Sequence, residues 1–315
     1  MTTTMTGYAH SCPLCASKLE PVFSAKDYRR SSDPKIWEVV WCDQCQYGKV
    51  ANDMTPEEVA RFYQVEYYTH HSGDLPVAPK SILDRIRIHL AWRFDYGTDL
   101  SPAELIAPGK LCDIGCGNGG NLRKFKEAGF QVVGVEPDDE ARKIAGEIAT
   151  VYAGTGESLP DSLQGGFDYV LLSHVLEHTI SPETALANAH KLLKSYGVLV
   201  VEVPNNEALG FRMFAELWPW TDVPRHIHYF TEASLRKMLE AAGFHVSHVH
   251  HVGYTRQFRN EWIADQKKIW AQIGAPDKAE PNFSLRAWWL LVNTFMSAKS
   301  RKYDSLRIHA VRVGG

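Results

Sequence analysis

No stretch of this sequence stays apolar for long. The longest candidate, AWWLLVNTFMSA at 287–298, falls short of the roughly 20 residues that a membrane-crossing helix needs, so no span is expected. The opening residues, MTTTMTGYAHSC, have neither the basic start nor the apolar run of a secretory leader. Excess positive charge is missing too. Lys and Arg total 34 against 37 Asp and Glu, a formal charge of -3, without the basic footprint of a strong nucleic-acid binder. Nor are there cysteines to spare: four of the six stand in the two pairs read below, and Cys112 and Cys116, which flank the glycine loop, read as packing, so none calls for a disulfide, which fits a reducing cytoplasm. What remains, 44% hydrophobic and 23% charged in 315 residues, describes a globular chain with one large domain and something smaller.

The smaller part starts with the cysteines. Cys12, Cys15, Cys42 and Cys45 read C-x2-C, then 26 residues, then C-x2-C. Each tight turn offers two thiolates, and two such turns close a tetrahedral shell around one ion, which predicts structural zinc. With KIWEVVWC as an alternating strand entering the second pair, the segment resembles a zinc ribbon. A closed four-sulfur shell has no place for substrate, so its expected work is to hold a small, core-poor module together. TPEEVARFYQVEYY then predicts a short helix capped at Thr55, and HHSGDLPVAPK a linker. The expected division is 1–75 for ribbon and helix and 76–315 for the large domain.

Within that domain, GKLCDIGCGNGGNLRKFKEAGFQVVGVEPDDEARKIA gives strand, glycine loop, helix, strand, acid and helix. Gly115, Gly117 and Gly120 satisfy G-x-G-x-x-G, where missing side chains let backbone amides approach a ligand at a helix N-terminus. Glu136 ends the second strand, where a carboxylate can accept from both hydroxyls of a ribose. Asp113 opens the wider frame D-x-G-x-G-x-G, which runs through Gly119. A carboxylate beside the loop suits a ligand with a cationic amino-acid end and no phosphate, which describes S-adenosylmethionine.

That frame, with VVGVEP, FDYVLLSHVLEH and LLKSYGVLVVEVPN, resembles the class I S-adenosylmethionine-dependent methyltransferases. DVPRHIHYFTEASLRKMLEAAGF resembles the downstream region of a subset in which a zinc ribbon precedes the catalytic domain. The resemblance runs from the cysteines to about residue 252 and returns at SLRIHAVRV. It implies an α/β fold, with a seven-stranded Rossmann-like sheet, mostly parallel with one antiparallel edge strand, and a helical insertion at about 254–304 in the final hairpin. It also implies a cofactor site of Asp113, Gly115, Gly117, Gly119 and Glu136, with Ser173 at the end of the fourth strand. Relatives often carry an acid before the LP that follows the third strand, where it can bond adenine. Here VYAGTGESLP has Thr155 at that place and Glu157 two residues on, which leaves adenine less firmly specified than ribose.

His174, Glu177 and His178 spell H-x-x-E-H, an inverted zinc-peptidase pattern. A peptidase needs one long helix through all five residues, whereas DYVLL is strand-like and ends where ligands of open parallel sheets bind. In some related methyltransferases a Glu and a His near this place help hold a magnesium ion that binds substrate oxygens. The reading preferred on sequence is that Glu177 and His178 hydrogen-bond the loop and shape the substrate pocket. Methyl transfer to a hydroxyl needs a base, and histidine suits neutral pH. His226 and His228 in DVPRHIHYF are the candidates, with His174 behind them, and Asp222 or Arg225 is expected to orient a histidine or clamp a phosphate. HVSHVHH at 245–251 reads as the sixth strand, LWPW as an aromatic wall or core, and RAWWLLVNTFMSAKSRK as a lid, a subunit contact or a membrane-surface element.

The expected activity is methylation, on oxygen, of a small or glycan-like acceptor such as a nucleotide- or lipid-linked sugar. Three rivals stay open. An RNA methyltransferase would grip RNA through the ribbon, though its basic residues are few: Lys18, Lys26, Arg29, Arg30 and Lys35. A partner-binding protein would keep only a vestigial pocket, and a nicotinamide dehydrogenase would use the loop for pyrophosphate. Nothing in the sequence sets the oligomeric state.

Overall fold

The computed structural model describes residues 11–29, 33–63, 81–97, 99–273 and 279–314. The linker expected at 70–80, the end of the helix expected beyond Tyr63, and Arg30 lie outside the described residues. At the N-terminal end, β1 (Glu20–Lys26), β2 (Ile36–Cys42) and β3 (Tyr47–Val50) form an antiparallel ribbon. α1 (Pro56–Tyr63) follows with a reciprocal cap, in which Thr55 Oγ1 accepts from the Glu58 amide and Glu58 accepts from the Thr55 amide. α2 (Ile82–Trp92) starts at Ser81, whose side chain accepts from the Asp84 amide.

Strands and helices then alternate. β4 (Lys110–Ile114), α3 (Gly120–Glu127), β5 (Gln131–Val135), α4 (Asp139–Gly146), β6 (Thr150–Tyr152), β7 (Phe167–Ser173), α5 (Pro182–Leu192) and β8 (Leu193–Pro204) build the parallel part of a sheet. Its middle strands read as apolar runs because both faces are covered: Val170, Leu171 and Leu172 are all fully buried. α6 (Leu209–Phe214), β9 (His228–Tyr229), α7 (Glu232–Ala241), β10 (Phe244–Val252), α8 (Asn260–Ile273), α9 (Phe283–Phe295), α10 (Lys299–Lys302) and β11 (Ser305–Arg312) complete the chain. The sheet order is β10-β11-β8-β7-β4-β5-β6. The reversed strand, β11, lies toward the expected edge but one place in, between β8 and β10. α8, α9 and α10 lie between β10 and β11, within the stretch read as inserted there.

The ribbon differs from a core-poor module. β2 is apolar on both parities, and the period of two sends each set to a different face. Trp37, Val39 and Trp41 join Trp218, Tyr229 and residues of the α8–α9 layer in one buried cluster. Val40 and Cys42 join Leu235, Met238 and the sheet residue Ile114 in another. The ribbon also gains a fourth strand from the far end of the chain: β9 pairs antiparallel with β3, Gly48 opposite Tyr229 and Lys49 opposite His228.

Candidate active site

β4 ends in the glycine loop, and three of its glycines have positive φ: Gly115 at 71°, Gly117 at 52° and Gly119 at 81°. At Gly115 an added Cβ would collide with Val175 Cγ2, so glycine is required by close packing as well as by conformation. At Gly117 a Cβ would meet nothing within 4 Å, so the space in front of that backbone is open to a ligand. Glu136, at the end of β5, accepts from the Gly117 amide at 2.9 Å and from the Asp138 amide at 2.9 Å. Asp113 is 1% exposed and its Oδ2 has no hydrogen-bond partner. Burial, then the Glu136 charge, pushes its carboxyl up to about 7. A buried acid short of a donor fits an ammonium ligand, so these residues match the expected cofactor. Thr155 Oγ1 accepts from the Ser158 amide at 3.1 Å, Glu157 accepts from the Ser181 amide at 2.7 Å, and Ser173 ends β7.

The opposite side begins at His174, whose φ of 55° turns the chain sharply out of β7, while its amide bonds the Glu202 carbonyl at 2.8 Å. Such a backbone costs about 1–3 kcal/mol and persists only where its surroundings hold it. His174 Nδ1 donates to Glu177 Oε1 at 3.2 Å, and Nε2 lies 3.4 Å from Glu202 Oε1. Burial opposes a charge here, but the bonds to Glu177 and Glu202 outweigh it and push His174 up to about 9. At neutral pH it is an imidazolium and donates rather than accepts. Glu202 is held down to about 2, because His174 and Arg307 overcome the effect of burial.

Glu177 and His178 lie in a single 3-10 turn, Leu176–His178, rather than on a long helix, so H-x-x-E-H does not form a peptidase helix. Instead the turn meets the loop before β9. Donor atoms of Glu177, His178 and His226 all lie within 4.8 Å of one another. His178 Nδ1 donates to the Arg225 carbonyl at 2.9 Å and His226 Nδ1 to the Trp220 carbonyl at 2.6 Å. A carbonyl can only accept, so in both rings Nδ1 carries a hydrogen and Nε2 is the nitrogen left to face the cluster. Burial, then the nearby His178, lowers His226 to about 4, which keeps it neutral. Glu177 Oε2 is buried without a partner.

Trp220 completes this wall, with its ring parallel to His174 at 5.0 Å, near His226 at 5.8 Å and edge-on to Trp262 of α8 at 6.0 Å. The loop that carries it is tied to the ribbon by buried charges. Arg225 donates to Asp27 at 2.7 and 3.0 Å and to Asp222 at 2.9 and 3.0 Å, and Arg29 donates to Asp222 at 3.0 and 3.1 Å. Asp222 and Arg225 are therefore engaged in a cross-domain ion network. His228, lowered to about 4 by burial and Lys49, bonds Tyr47 at 2.5 Å in the seam between β3 and β9. Glu202, Asp27 and Trp262 were not anticipated. Only Glu202 had left a local sign, as a lone acid in the apolar run VLVVEVP.

The four cysteine sulfurs also lie within 4.8 Å of one another, and Lys237 of α7 donates to Cys45 Sγ at 3.4 Å. β10 stacks His248 on His250, near His309 of β11.

A family model described as a methyltransferase domain matches residues 89–249. The ubiquinone biosynthesis O-methyltransferase of Azorhizobium caulinodans is 26% identical over 244 residues, covering 70% of this chain and 93% of that protein. The enzyme of the same name from Caulobacter vibrioides is 31% identical over 162 residues, 48% of this chain and 63% of that one. Among solved structures, the 1,6-didemethyltoxoflavin-N1-methyltransferase of Burkholderia thailandensis is 19% identical with a TM-score of 0.47, covering 94% of this chain and 100% of that one. Because the family match runs from α2 through the glycine loop into β10 and takes in more than half of the sequence, the chain belongs to the S-adenosylmethionine-dependent methyltransferases of class I.

Proposed function

We propose that the protein methylates a hydroxyl oxygen of a small, sugar-like acceptor, with His226 taking the proton. The observation that carries this reading is His226 itself: neutral, fixed by the Trp220 carbonyl, and presenting Nε2 beside the turn at Glu177. S-adenosylmethionine supplies a methyl carbon already activated by a sulfonium, and Asp113, Gly115, Gly117, Gly119 and Glu136 would hold it. The chain then has to align the oxygen and exclude water. His174, as a cation, donates to Glu177 and Glu202 and keeps both carboxylates ionised. Trp220 and Trp262 wall the pocket. Relatives named O-methyltransferases support oxygen as the acceptor atom. Thr155 and Glu157 are the adenine-side residues in this reading, and the metal of the four cysteines is taken as zinc. Against an RNA acceptor, Arg29 is engaged with Asp222, Lys18 with Glu20, and Lys35 with the face of Trp37.

Labelled cofactor incubated with sugar nucleotides, lipid-linked sugars and RNA, followed by mass spectrometry, tests the acceptor class. A gain of one methylene confined to RNA overturns the reading.

The Glu177, His178 and His226 cluster favours a second reading, in which it holds a divalent ion that binds acceptor oxygens. Both rings are locked by carbonyls on Nδ1, the arrangement that orients metal-binding histidines, and Glu177 Oε2 lacks a partner. Two imidazoles and a carboxylate suit zinc, iron or nickel better than the magnesium that the family resemblance allows. Dialysis against a chelator, with cysteine-site occupancy followed separately, distinguishes the two. Turnover that survives supports His226 as the base, and a loss reversed by added metal at constant ribbon occupancy supports the ion.

A further inference from the structure

α9 is apolar on two sides. It buries Phe283, Ala287, Leu290 and Leu291 against the rest of the molecule. Leu285, Trp289, Val292 and Met296, spaced four, three and four residues apart, form a second stripe that is 55 to 87% exposed. A helix on the surface of a globular protein ordinarily turns a polar face to water. Its neighbour α2 repeats the anomaly: Ile82, Leu83, Ile86 and Leu90 are 39 to 73% exposed. The two helices are joined, since Arg87 of α2 donates to Ser284 at 3.1 Å and Phe94, just beyond α2, meets Phe295 edge-on at 5.0 Å. Exposed apolar side chains on this scale mark an interaction surface.

The charges around it select the occupant. Residues 282–303 contain Arg286, Lys299, Arg301 and Lys302 and no acid at all. On the α2 side Arg85 and Arg93 are exposed, while Asp84 is committed to Arg87 at 2.8 Å. A two-fold partner would set this cationic rim against its own copy, which like-charge repulsion disfavours. An anionic lipid surface instead offers apolar depth for the stripes and negative headgroups for the rim. Among the described residues no helix is long and apolar enough to cross a membrane, so the contact is with the surface. The inner side of the same helical layer reaches the proposed acceptor site, where Trp262 of α8 packs against Trp218 at 4.9 Å and Trp220 at 6.0 Å.

We propose that the exposed apolar stripes of α2 and α9, with their basic rim, dock the protein on an anionic membrane surface. Where the docked lipid carries the acceptor, this rests on the acceptor reading above; docking by itself does not.

The test is co-sedimentation of the full-length protein with vesicles of phosphatidylcholine alone or mixed with phosphatidylglycerol, with no acceptor or cofactor present. We expect about tenfold or more tighter partitioning onto the mixed vesicles, weakened by salt. L285E/V292E should abolish binding to both, and K299E/R301E should remove most of the preference for phosphatidylglycerol. Both variants should keep wild-type affinity for S-adenosylmethionine, which shows that they are folded. Absence of vesicle binding by the wild-type chain overturns the proposal, as does binding that L285E/V292E leaves intact. A wild-type dimer that L285E/V292E dissociates also overturns it, because the stripe would then be filled by a second copy. Methyl transfer is not read in any arm, so a failure here is distinct from a failure of the acceptor assignment.

Discussion

The two sides of the proposed site are assembled over very different chain distances. The cofactor side is a single strand-loop-helix-strand unit, in which Asp113, Gly117 and Glu136 lie within one short segment and Glu136 accepts from the Gly117 and Asp138 amides. The acceptor side gathers Asp27 and Tyr47 from the ribbon, Glu177 and His178 after β7, Glu202 from β8, and Trp220 to His228 from the loop that becomes β9. The first is a local solution that a β-α-β unit can hold alone. The second exists only if the ribbon and the sheet are docked. Cofactor binding and catalysis should therefore respond to different lesions, with the metal proposed for the ribbon acting on turnover.

The sharpest separation should come from His226→Ala. Loss of a general base typically costs about 10² to 10⁴ in rate, and we expect kcat to fall in that range while the cofactor Kd moves less than about threefold. Calorimetry and single-turnover rates measure the two sides separately, and a matching loss of cofactor affinity would merge them.

Next in size is removal of the metal proposed for the four cysteines, by chelation or by Cys42→Ser. Without it the β3–β9 pairing loses its anchor, and the loop that carries Trp220 and His226 is released. A displacement of about 1 Å can cost on the order of 100-fold in rate, and that is the loss expected, again with cofactor binding largely kept. Proteolysis should become faster within 11–50 before it does within 110–136. Unchanged turnover in a demonstrably metal-free protein would show that the acceptor side stands without the ribbon.

Asp27→Asn tests one strut of that docking. The Asp27–Arg225 pair is almost fully buried, and breaking such a pair costs on the order of 3 kcal/mol, moderated here because Asp222 also holds Arg225. A lower denaturant midpoint with a roughly tenfold fall in kcat, and a cofactor Kd within about twofold of wild type, is the expected pattern. Arg225 also supplies the carbonyl that orients His178, so the loss of rate should exceed what partial unfolding explains.

The same contrast accounts for what the sequence disclosed. The glycine loop and its two acids were legible because their contacts are local and their conformations require glycine. The four cysteines were legible as a group because two C-x2-C turns can converge, and their sulfurs do lie within 4.8 Å of one another. β9 was not, since its partner lies 181 residues away and a two-residue strand leaves no periodicity to read. DVPRHIHYF showed its histidines, but the roles divided on contacts that no motif records: His226 under the Trp220 carbonyl, His228 against Tyr47. His174 looked like a reserve base until Glu177, in the turn, and Glu202, on the neighbouring strand, made it a cation. The ribbon's second buried face was present in the two parities of β2, but covering it takes helices more than 200 residues further on.

The smallest effect isolates the cofactor side. Burial, and then the Glu136 charge, raises Asp113 from an ordinary 3.8 to about 7. A carboxyl whose folded pKa is raised favours the protonated form, so its contribution to the stability of the empty protein is full below about 3.8 and is lost as pH rises through about 7. A cationic ligand has the opposite preference, because the Oδ2 that lacks a partner needs to be charged to hold an ammonium. Affinity for S-adenosylmethionine should therefore be constant above about 7 and weaken by at most about tenfold per pH unit below it. Calorimetry in two buffers of different ionisation enthalpy should detect a proton released on binding at pH 6 and none at pH 8. Asp113→Asn should bind more weakly and lose this pH dependence, while His226→Ala should retain it. Identical pH curves for the wild type and Asp113→Asn would mean that the ammonium is held elsewhere.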